Sequence, residues 1–141
     1  MTRRDRPLIF LVDDHAAVRH SLALVLAEEG LGECREACGR EEALQALAAD
    51  GGRPPDVALV DLSPRTEDAL KLVTELCARN IPVLVCSLHD EPSYVRRALA
   101  AGARGYLTKV EAPKELVRTV RDVLEGWMLV SPRAAGGLRS G

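Results

Sequence analysis

Apolar and polar positions along this chain fall into short apolar runs separated by longer stretches with helical spacing. The runs Leu8–Val12, Val57–Val60 and Pro82–Cys86 have no polar alternation, which is typical of strands buried on both faces of a parallel sheet. A shorter strand is predicted at Gly105–Leu107. Glu33–Ala37 alternates imperfectly, which predicts a weaker strand at a sheet edge.

Between these runs the apolar residues recur every three or four positions, which predicts amphipathic helices. The first helix is expected to end at Gly30, and the second to follow Gly39. Pro92 and Pro113 suit the first turns of the last two helices. Proline has no backbone N–H to donate, and the N–H groups of a first turn have no acceptor within the helix. Strand and helix therefore alternate five times, which predicts a parallel sheet with helices on both faces and right-handed crossovers. Beyond the last helix, Met128–Val130 is expected to be a short extended piece.

Polar residues follow the predicted strands where each one ends: Asp13 and Asp14, Asp61, Ser87 and Lys109. In a parallel sheet these ends share one edge, so the side chains are expected to converge. Two carboxylates ~4 Å apart at an effective dielectric of ~20 repel by about 4 kcal/mol, so a cation is expected beside them. Caps for the first helix are an alternative role for the first two acids, although a cap accounts for one acid and not three.

Three carboxylates suit a hard divalent cation, and Mg²⁺ is favoured because it needs few protein ligands and keeps several waters. The ammonium of Lys109 and the hydroxyl of Ser87 suit the oxygens of a phosphoryl group. One of the carboxylates would then act as the nucleophile in phosphoryl transfer.

Length and composition narrow the function classes. The 141 residues are one domain's worth of chain, and with only 3% aromatic residues the core must be built from Leu, Val, Ala and Ile. A net charge of −2 argues against direct nucleic-acid binding by this chain. No apolar run approaches the ~20 residues that span a bilayer, so we expect no membrane association and a soluble, cytoplasmic protein.

Four cysteines are present, and none form a C-x-x-C pair. They are expected to be reduced and buried, although a metal or redox pair formed by Cys34 and Cys38 stays open. His15, His20 and His89 show no ligand spacing and are expected to be surface or loop residues.

Four segments carry a resemblance to a known family: Leu11–His15, Leu59–Leu62, Val85–Glu91 and Ala101–Lys109. Over about residues 7–126 the chain resembles the receiver domain of bacterial two-component response regulators. The Asp-Asp-His start, the Ser-Leu-His-Asp segment and the tail Ser131–Ala134 are most similar to the NarL/FixJ subgroup, in which a linker and a LuxR-type helix-turn-helix domain follow.

The resemblance implies a flavodoxin-like doubly wound fold, with a five-stranded parallel sheet of order 2-1-3-4-5 and five helices. It implies a receiver domain over residues 1–126 and a linker over residues 127–141, with the output domain outside this chain. The implied partners are a sensor histidine kinase and an attached or separate DNA-binding output domain, together with a homodimer strengthened by phosphorylation. Such a domain is not an enzyme in the usual sense, since it catalyses only its own phosphoryl transfer and slow dephosphorylation.

The same resemblance assigns roles to the polar residues at the strand ends. Asp61 is expected to accept the phosphoryl group. Asp14 and Asp61 are expected to hold Mg²⁺ directly, with the backbone carbonyl of Ser63 as a third protein ligand and Asp13 acting through a water.

The phosphoryl group itself is expected to be contacted by Lys109 and Ser87. Tyr106 is the implied aromatic switch residue, which would turn inward when the Ser87 hydroxyl moves.

The loop after Asp61 departs from the family pattern, because Pro64, Arg65 and Ala69 stand where a bulky apolar residue, a proline and a glycine are usual. Pro64 restricts Ser63 to extended conformations, and Ala69 tolerates a positive φ less well than glycine. These departures leave open a degenerate receiver that acts as a phosphate-independent interaction module.

Two enzyme classes are disfavoured. A phosphatase of the haloacid dehalogenase type would have a second Asp two residues after its nucleophile, where this chain has Ser63. Nucleotide-binding folds are weaker still, since neither G-x-G-x-x-G nor G-x-x-x-x-G-K-[ST] occurs.

Overall fold

A computed structural model describes residues 6–49, 53–130, 133 and 135. Within these residues, strands and helices alternate from the start to the end of the fold. The order is β1 (Leu8–Val12), α1 (Ala16–Glu28), β2 (Glu33–Ala37), α2 (Arg40–Ala49), β3 (Val57–Val60), α3 (Thr66–Ala78), β4 (Val83–Ser87), α4 (Pro92–Ala100), β5 (Gly105–Thr108), α5 (Ala112–Leu124) and β6 (Leu129–Val130).

The strands form one parallel sheet in the order β2-β1-β3-β4-β5-β6. The predicted flavodoxin-like arrangement of five strands in the order 2-1-3-4-5 with five helices is therefore confirmed. The short extended piece predicted after α5 is also present, and it pairs with β5 as a two-residue sixth strand.

Every residue of β1, β3, β4 and β5 is buried, as expected for strands covered by helices on both faces. Alternate residues of each strand enter two separate cores. In β1, Phe10 and Val12 contribute to the core that includes side chains of α2, α3 and α4. Ile9 and Leu11 contribute to the opposite core, which includes side chains of α1 and α5.

The edge position predicted for β2 is confirmed, since four of its five residues are only half-buried. Gly30 follows α1 with φ +71°, a conformation that favours glycine and ends the helix. Pro92 begins α4 as predicted. Ala69 lies inside α3, so the concern about a positive φ at that position does not apply.

Part of the chain's last segment lies outside the description. Of the tail that resembles the NarL/FixJ subgroup, Ser131, Pro132 and Ala134 are outside the described residues. The division into a receiver over residues 1–126 and a linker over residues 127–141 therefore stays a prediction. Among the helices that the structure describes, none has the length and apolar character needed to cross a membrane.

Candidate functional site

The register of β1 and β3 brings two of the predicted acids together. Val12 pairs with Val60, and the amide of Asp61 donates to the carbonyl of Val12 at 2.9 Å. Asp13 directly follows β1 and Asp61 directly follows β3, so the two residues lie side by side at the edge of the sheet. Both are buried, with exposed fractions of 5% and 7%.

Lys109 supplies the cation that these acids need. Ser87 pairs with Thr108 across β4 and β5, and the amide of Lys109 donates to the carbonyl of Ser87 at 2.8 Å. The Lys109 Nζ then lies 2.9 Å from Asp13 Oδ2 and 2.8 Å from Asp61 Oδ2. One ammonium is thus shared by two buried carboxylates.

Burial and ion pairing act against each other at this site. Burial raises the pKa of the Asp61 carboxyl, and this outweighs the lowering by Lys109, so that its pKa lies above the usual 3.8. Burial lowers the pKa of the Lys109 ammonium, but its bonds to Asp61 and Asp13 together raise that pKa above its ordinary value. The lysine therefore stays charged. Additional positive charge nearby would stabilise the ionised form of Asp61.

The other two predicted metal ligands lie at the mouth of the site. Asp14 is exposed, in contrast to Asp13, and Ser63 is half-buried. Both line a cleft of about 650 Å³ bounded by the carboxyl ends of β1 and β3 and by residues of α2 and α3. The amide of Ser63 donates to Asp61 Oδ1 at 3.2 Å, and the Ser63–Pro64 peptide is cis.

The donor set fits a magnesium ion. The carboxylates of Asp13 and Asp61 are hard oxygen donors, which Mg²⁺ prefers, and the open cleft leaves room for its waters. Asp14 lines this cleft, but it lies outside the close group of possible ligands found among the described residues. His15 is a surface residue, as predicted, but its position does allow a ligand role, which its sequence spacing does not indicate: its Nδ1 lies 3.4 Å from Asp13 Oδ1 and 3.9 Å from Asp61 Oδ2. Asp13, His15 and Asp61 form a group that could hold a metal ion. The position of His15 directly after two acids was the available sequence signal.

A neutral network of hydrogen bonds adjoins the acids at the ends of β4 and β5. The Ser87 hydroxyl accepts the amide of His89 at 3.2 Å. The Tyr106 hydroxyl donates to the carbonyl of His89 at 2.6 Å. The Tyr106 side chain is fully buried, and this burial raises the pKa of its phenol to about 12.

His89 connects two loops of the site, which the sequence did not indicate. Its Nε2 shares a hydrogen bond of 2.9 Å with the Ser63 hydroxyl. Its ring stacks on Tyr94, with ring centroids 4.1 Å apart and planes 5° apart. The loop after β3 and the loop after β4 are therefore joined through one imidazole. His89 is a loop residue, as predicted, and its contacts give it a place in the site that its sequence position does not indicate.

The cysteines form no site of their own. All four are free thiols. Burial raises the pKa of the Cys34 thiol to about 11 and that of Cys86 to about 12. Cys38 is exposed, against the expectation of burial, and its thiol donates to Glu42 Oε2 at 3.0 Å. Raised pKa values make these thiols poor nucleophiles at neutral pH.

Comparisons with known proteins agree on one family. Residues 9–121 match the family described as the response regulator receiver domain. The chain is 37% identical over 135 residues to the transcriptional regulatory protein UhpA of Salmonella typhimurium, covering 94% of the chain and 66% of that protein. It is 33% identical over 130 residues to the response regulator GacA of Pseudomonas aeruginosa, covering 90% of the chain and 59% of that protein.

A solved structure has the same architecture. The two-component response regulator of the LuxR family from Aurantimonas sp. SI85-9A1 superimposes with a TM-score of 0.83 at 27% identity, covering 96% of this chain and 97% of that one. The chain spans less than two thirds of the length of the curated relatives UhpA and GacA.

Proposed function

Because this chain belongs to the response regulator receiver family, we propose that Asp61 accepts a phosphoryl group from a sensor histidine kinase. A carboxylate oxygen of Asp61 attacks the phosphorus, and the bond between phosphorus and the kinase's imidazole nitrogen breaks with its electron pair left on that nitrogen. The observation that carries the proposal is the Lys109 ammonium, 2.8 Å from Asp61 and 2.9 Å from Asp13. It is placed to neutralise charge on a transferred phosphoryl group.

Mg²⁺ is the proposed cofactor, held by Asp14, Asp61 and the Ser63 carbonyl, with Asp13 acting through a water. When bound, it would add positive charge where phosphoryl oxygens must approach carboxylates. The protein's own part is to keep Asp13 and Asp61 side by side through the β1 and β3 register.

Ser87, Lys109 and Tyr106 are the proposed switch residues. Hydrogen bonds to charged groups contribute ~1.5–3 kcal/mol each, so bonds from Ser87 and Lys109 to a phosphoryl group would supply about 3–6 kcal/mol before subtraction of the bonds that Lys109 now makes to Asp13 and Asp61. Shifting a population from 1:99 to 99:1 needs about 5.5 kcal/mol. The upper end of the supplied range is comparable with the free energy needed to move Tyr106 and the loop after β4 between two arrangements.

The output of this switch is proposed to be transcriptional. The relative UhpA is named as a transcriptional regulatory protein, and it is longer than this chain. We propose that a DNA-binding domain, attached or separate, responds to the receiver in the cytoplasm. A homodimer strengthened by phosphorylation is part of the same proposal, and sedimentation with and without phosphorylation tests it.

Phosphorylation by acetyl phosphate with Mg²⁺ is the direct test, read as a mass increase of the intact protein. The native chain is expected to gain one phosphoryl group, and Asp61→Asn is expected to gain none. Asp68→Asn is the matched control, because Asp68 lines the same cleft from α3. Phosphorylation equal in native and Asp61→Asn chains would refute Asp61 as the acceptor.

The altered residues Pro64 and Arg65 favour one competing function, a receiver that works as a phosphate-independent interaction module. That function predicts no phosphorylation of the native chain under conditions where a control receiver is modified. It also predicts no Mg²⁺ binding, which calorimetry measures separately.

A further inference from the structure

The sixth strand is held to the fold by few contacts. Leu129 and Val130 pair with Gly105 and Tyr106 of β5. Val130 is half-buried and packs against the core that contains Tyr106. Trp127 and Met128, which precede the strand, have exposed fractions of 62% and 67%. A two-residue strand at a sheet edge is among the least stable parts of a fold.

Arg133 fastens this segment at a second place. Its Nε lies 3.0 Å from Asp90 Oδ2, and its amide donates to Glu111 Oε2 at 3.4 Å. We name residues 127–130 and Arg133 the strap. Its described contacts include the edge of β5, the core beside Val130, the carbonyl of Asp122 in α5, which accepts the Trp127 amide at 3.0 Å, and two acidic side chains, one in the loop after β4 and one in the loop after β5.

Both acidic side chains are close in sequence to residues of the phosphorylation site. Asp90 directly follows His89, whose amide donates to the Ser87 hydroxyl and whose carbonyl accepts the Tyr106 hydroxyl. Glu111 lies two residues after Lys109, and its Oε1 accepts the Thr108 hydroxyl at 2.7 Å. The strap therefore rests on the two loops that carry the residues proposed to contact the phosphoryl group.

From this geometry we infer that the strap is a releasable lock: phosphorylation at Asp61 moves the loops after β4 and β5, separates Arg133 from Asp90, and frees β6 from β5. The inference rests on the proposed function. A phosphoryl oxygen competes for the Lys109 ammonium, which the two aspartates now share, and it would draw the Ser87 hydroxyl, whose oxygen accepts the His89 amide, toward the site as a donor. Both loops therefore start from an arrangement that phosphorylation disturbs.

The weakness of the lock is what makes it releasable. Arg133 and Asp90 are about half exposed, at 54% and 44%, and exposed ion pairs are weak. Small movements of either loop therefore suffice to break the pair. Release would uncover the edge of β5 and change the direction in which the chain leaves the receiver fold.

Amide hydrogen exchange at Leu129 and Val130 tests the inference, with beryllofluoride and Mg²⁺ as the phosphoryl mimic. Exchange in the native chain is expected to be about two- to fivefold faster with the mimic, the range expected from loss of one exposed ion pair. Arg133→Gln is expected to show that faster exchange without the mimic and little further change with it.

Two control variants sharpen the test. Arg118→Gln removes an exposed arginine of α5 and is expected to behave like the native chain. Asp90→Arg alone and Arg133→Asp alone each place two like charges together, so each is expected to exchange fast. The double variant, which carries both reversals, is expected to exchange as slowly as the native chain. Native-like exchange in Arg133→Gln would overturn the lock.

Binding of the mimic is followed separately by fluorine NMR of the bound beryllofluoride. Binding with unchanged exchange at Leu129 and Val130 overturns the strap inference alone. Absence of binding contradicts the proposed function. It also contradicts the strap inference, because phosphorylation could then not release the strap.

Discussion

The site has a charged half and a hydroxyl half, and they are built on different principles. In the charged half, Asp13 and Asp61 are buried around one ammonium, that of Lys109. In the hydroxyl half, Ser87 and Tyr106 are buried with every described polar side-chain atom hydrogen-bonded. The charged half has less positive than negative charge, since two carboxylates share one ammonium. The second half is fully satisfied as it stands.

This contrast indicates that the two halves would have different roles. Excess negative charge makes the charged half responsive to a cation, and the Lys109 ammonium, with that cation, would offset the charge of an anionic phosphoryl group. The hydroxyl half would respond only indirectly, because moving Ser87 disturbs the His89 backbone, which holds Tyr106. The charged half would thus receive the signal, and the hydroxyl half would transmit it.

The largest predicted effect comes from removing the shared cation. Lys109→Met leaves two buried carboxylates without their partner, and breaking a buried ion pair costs about 3–5 kcal/mol of the free energy of unfolding. Urea denaturation at neutral pH measures this loss, and added Mg²⁺ is expected to recover part of it. Lys114→Met, an exposed lysine of α5, is the matched control. Equal stability of Lys109→Met and the native chain would show that the carboxylates do not depend on the ammonium.

The second prediction concerns the pH dependence that Asp61 causes. Since its pKa is raised in the folded state, the native protein binds this proton more tightly than the unfolded chain does. Asp61 therefore costs stability as the pH rises through the window that begins at the usual value of 3.8. Asp61→Asn is expected to be more stable than the native chain above that window, by less than the Lys109→Met loss. Thermal unfolding of both chains across acidic pH measures it, and curves that converge towards neutral pH would contradict the sign.

A smaller effect is expected from the hydroxyl half. Tyr106→Phe removes the 2.6 Å bond to the His89 carbonyl, which costs about 1 kcal/mol of the free energy of unfolding. Burial raises the pKa of the Tyr106 phenol from the ordinary 10.0 to about 12, so the native chain should lose stability as the pH rises between these values. The variant should lack that loss. Chemical denaturation at neutral and alkaline pH measures both effects, with Tyr94→Phe as the comparison.

The smallest effect is expected where the two loops meet. Ser63→Ala removes the 2.9 Å bond to His89, and a partly exposed bond of this kind contributes about 0.5–1 kcal/mol. A double-mutant cycle with His89→Ala measures the coupling free energy. Additive effects of the two substitutions would mean that the Ser63–His89 bond does not join the loops energetically.

Much of the fold could be predicted because its central strands are buried on both faces. Such strands appear in the sequence as uninterrupted apolar runs, and their ends locate Asp13, Asp61 and Lys109 at one edge. The glycine and proline positions, such as Gly30 and Pro92, marked helix ends through local backbone preferences. These signals are short-range, so the sequence displays them directly.

The remaining features depend on contacts between residues far apart in the chain. His89 meets the Ser63 hydroxyl 26 residues away, and Arg133 meets Asp90 43 residues away. A histidine in a loop or an arginine in a tail carries no periodicity that indicates its partner.

The sequence by itself determined the layered α/β architecture and which acids could serve as site residues, because buried strands and amphipathic helices require apolar residues at regular spacings along the chain. Only the tertiary structure decided that Asp13 is buried while Asp14 is exposed, and that one lysine serves two carboxylates. It also decided that the segment after α5 returns to the sheet. Those outcomes follow from strand register and loop packing, which no local pattern encodes.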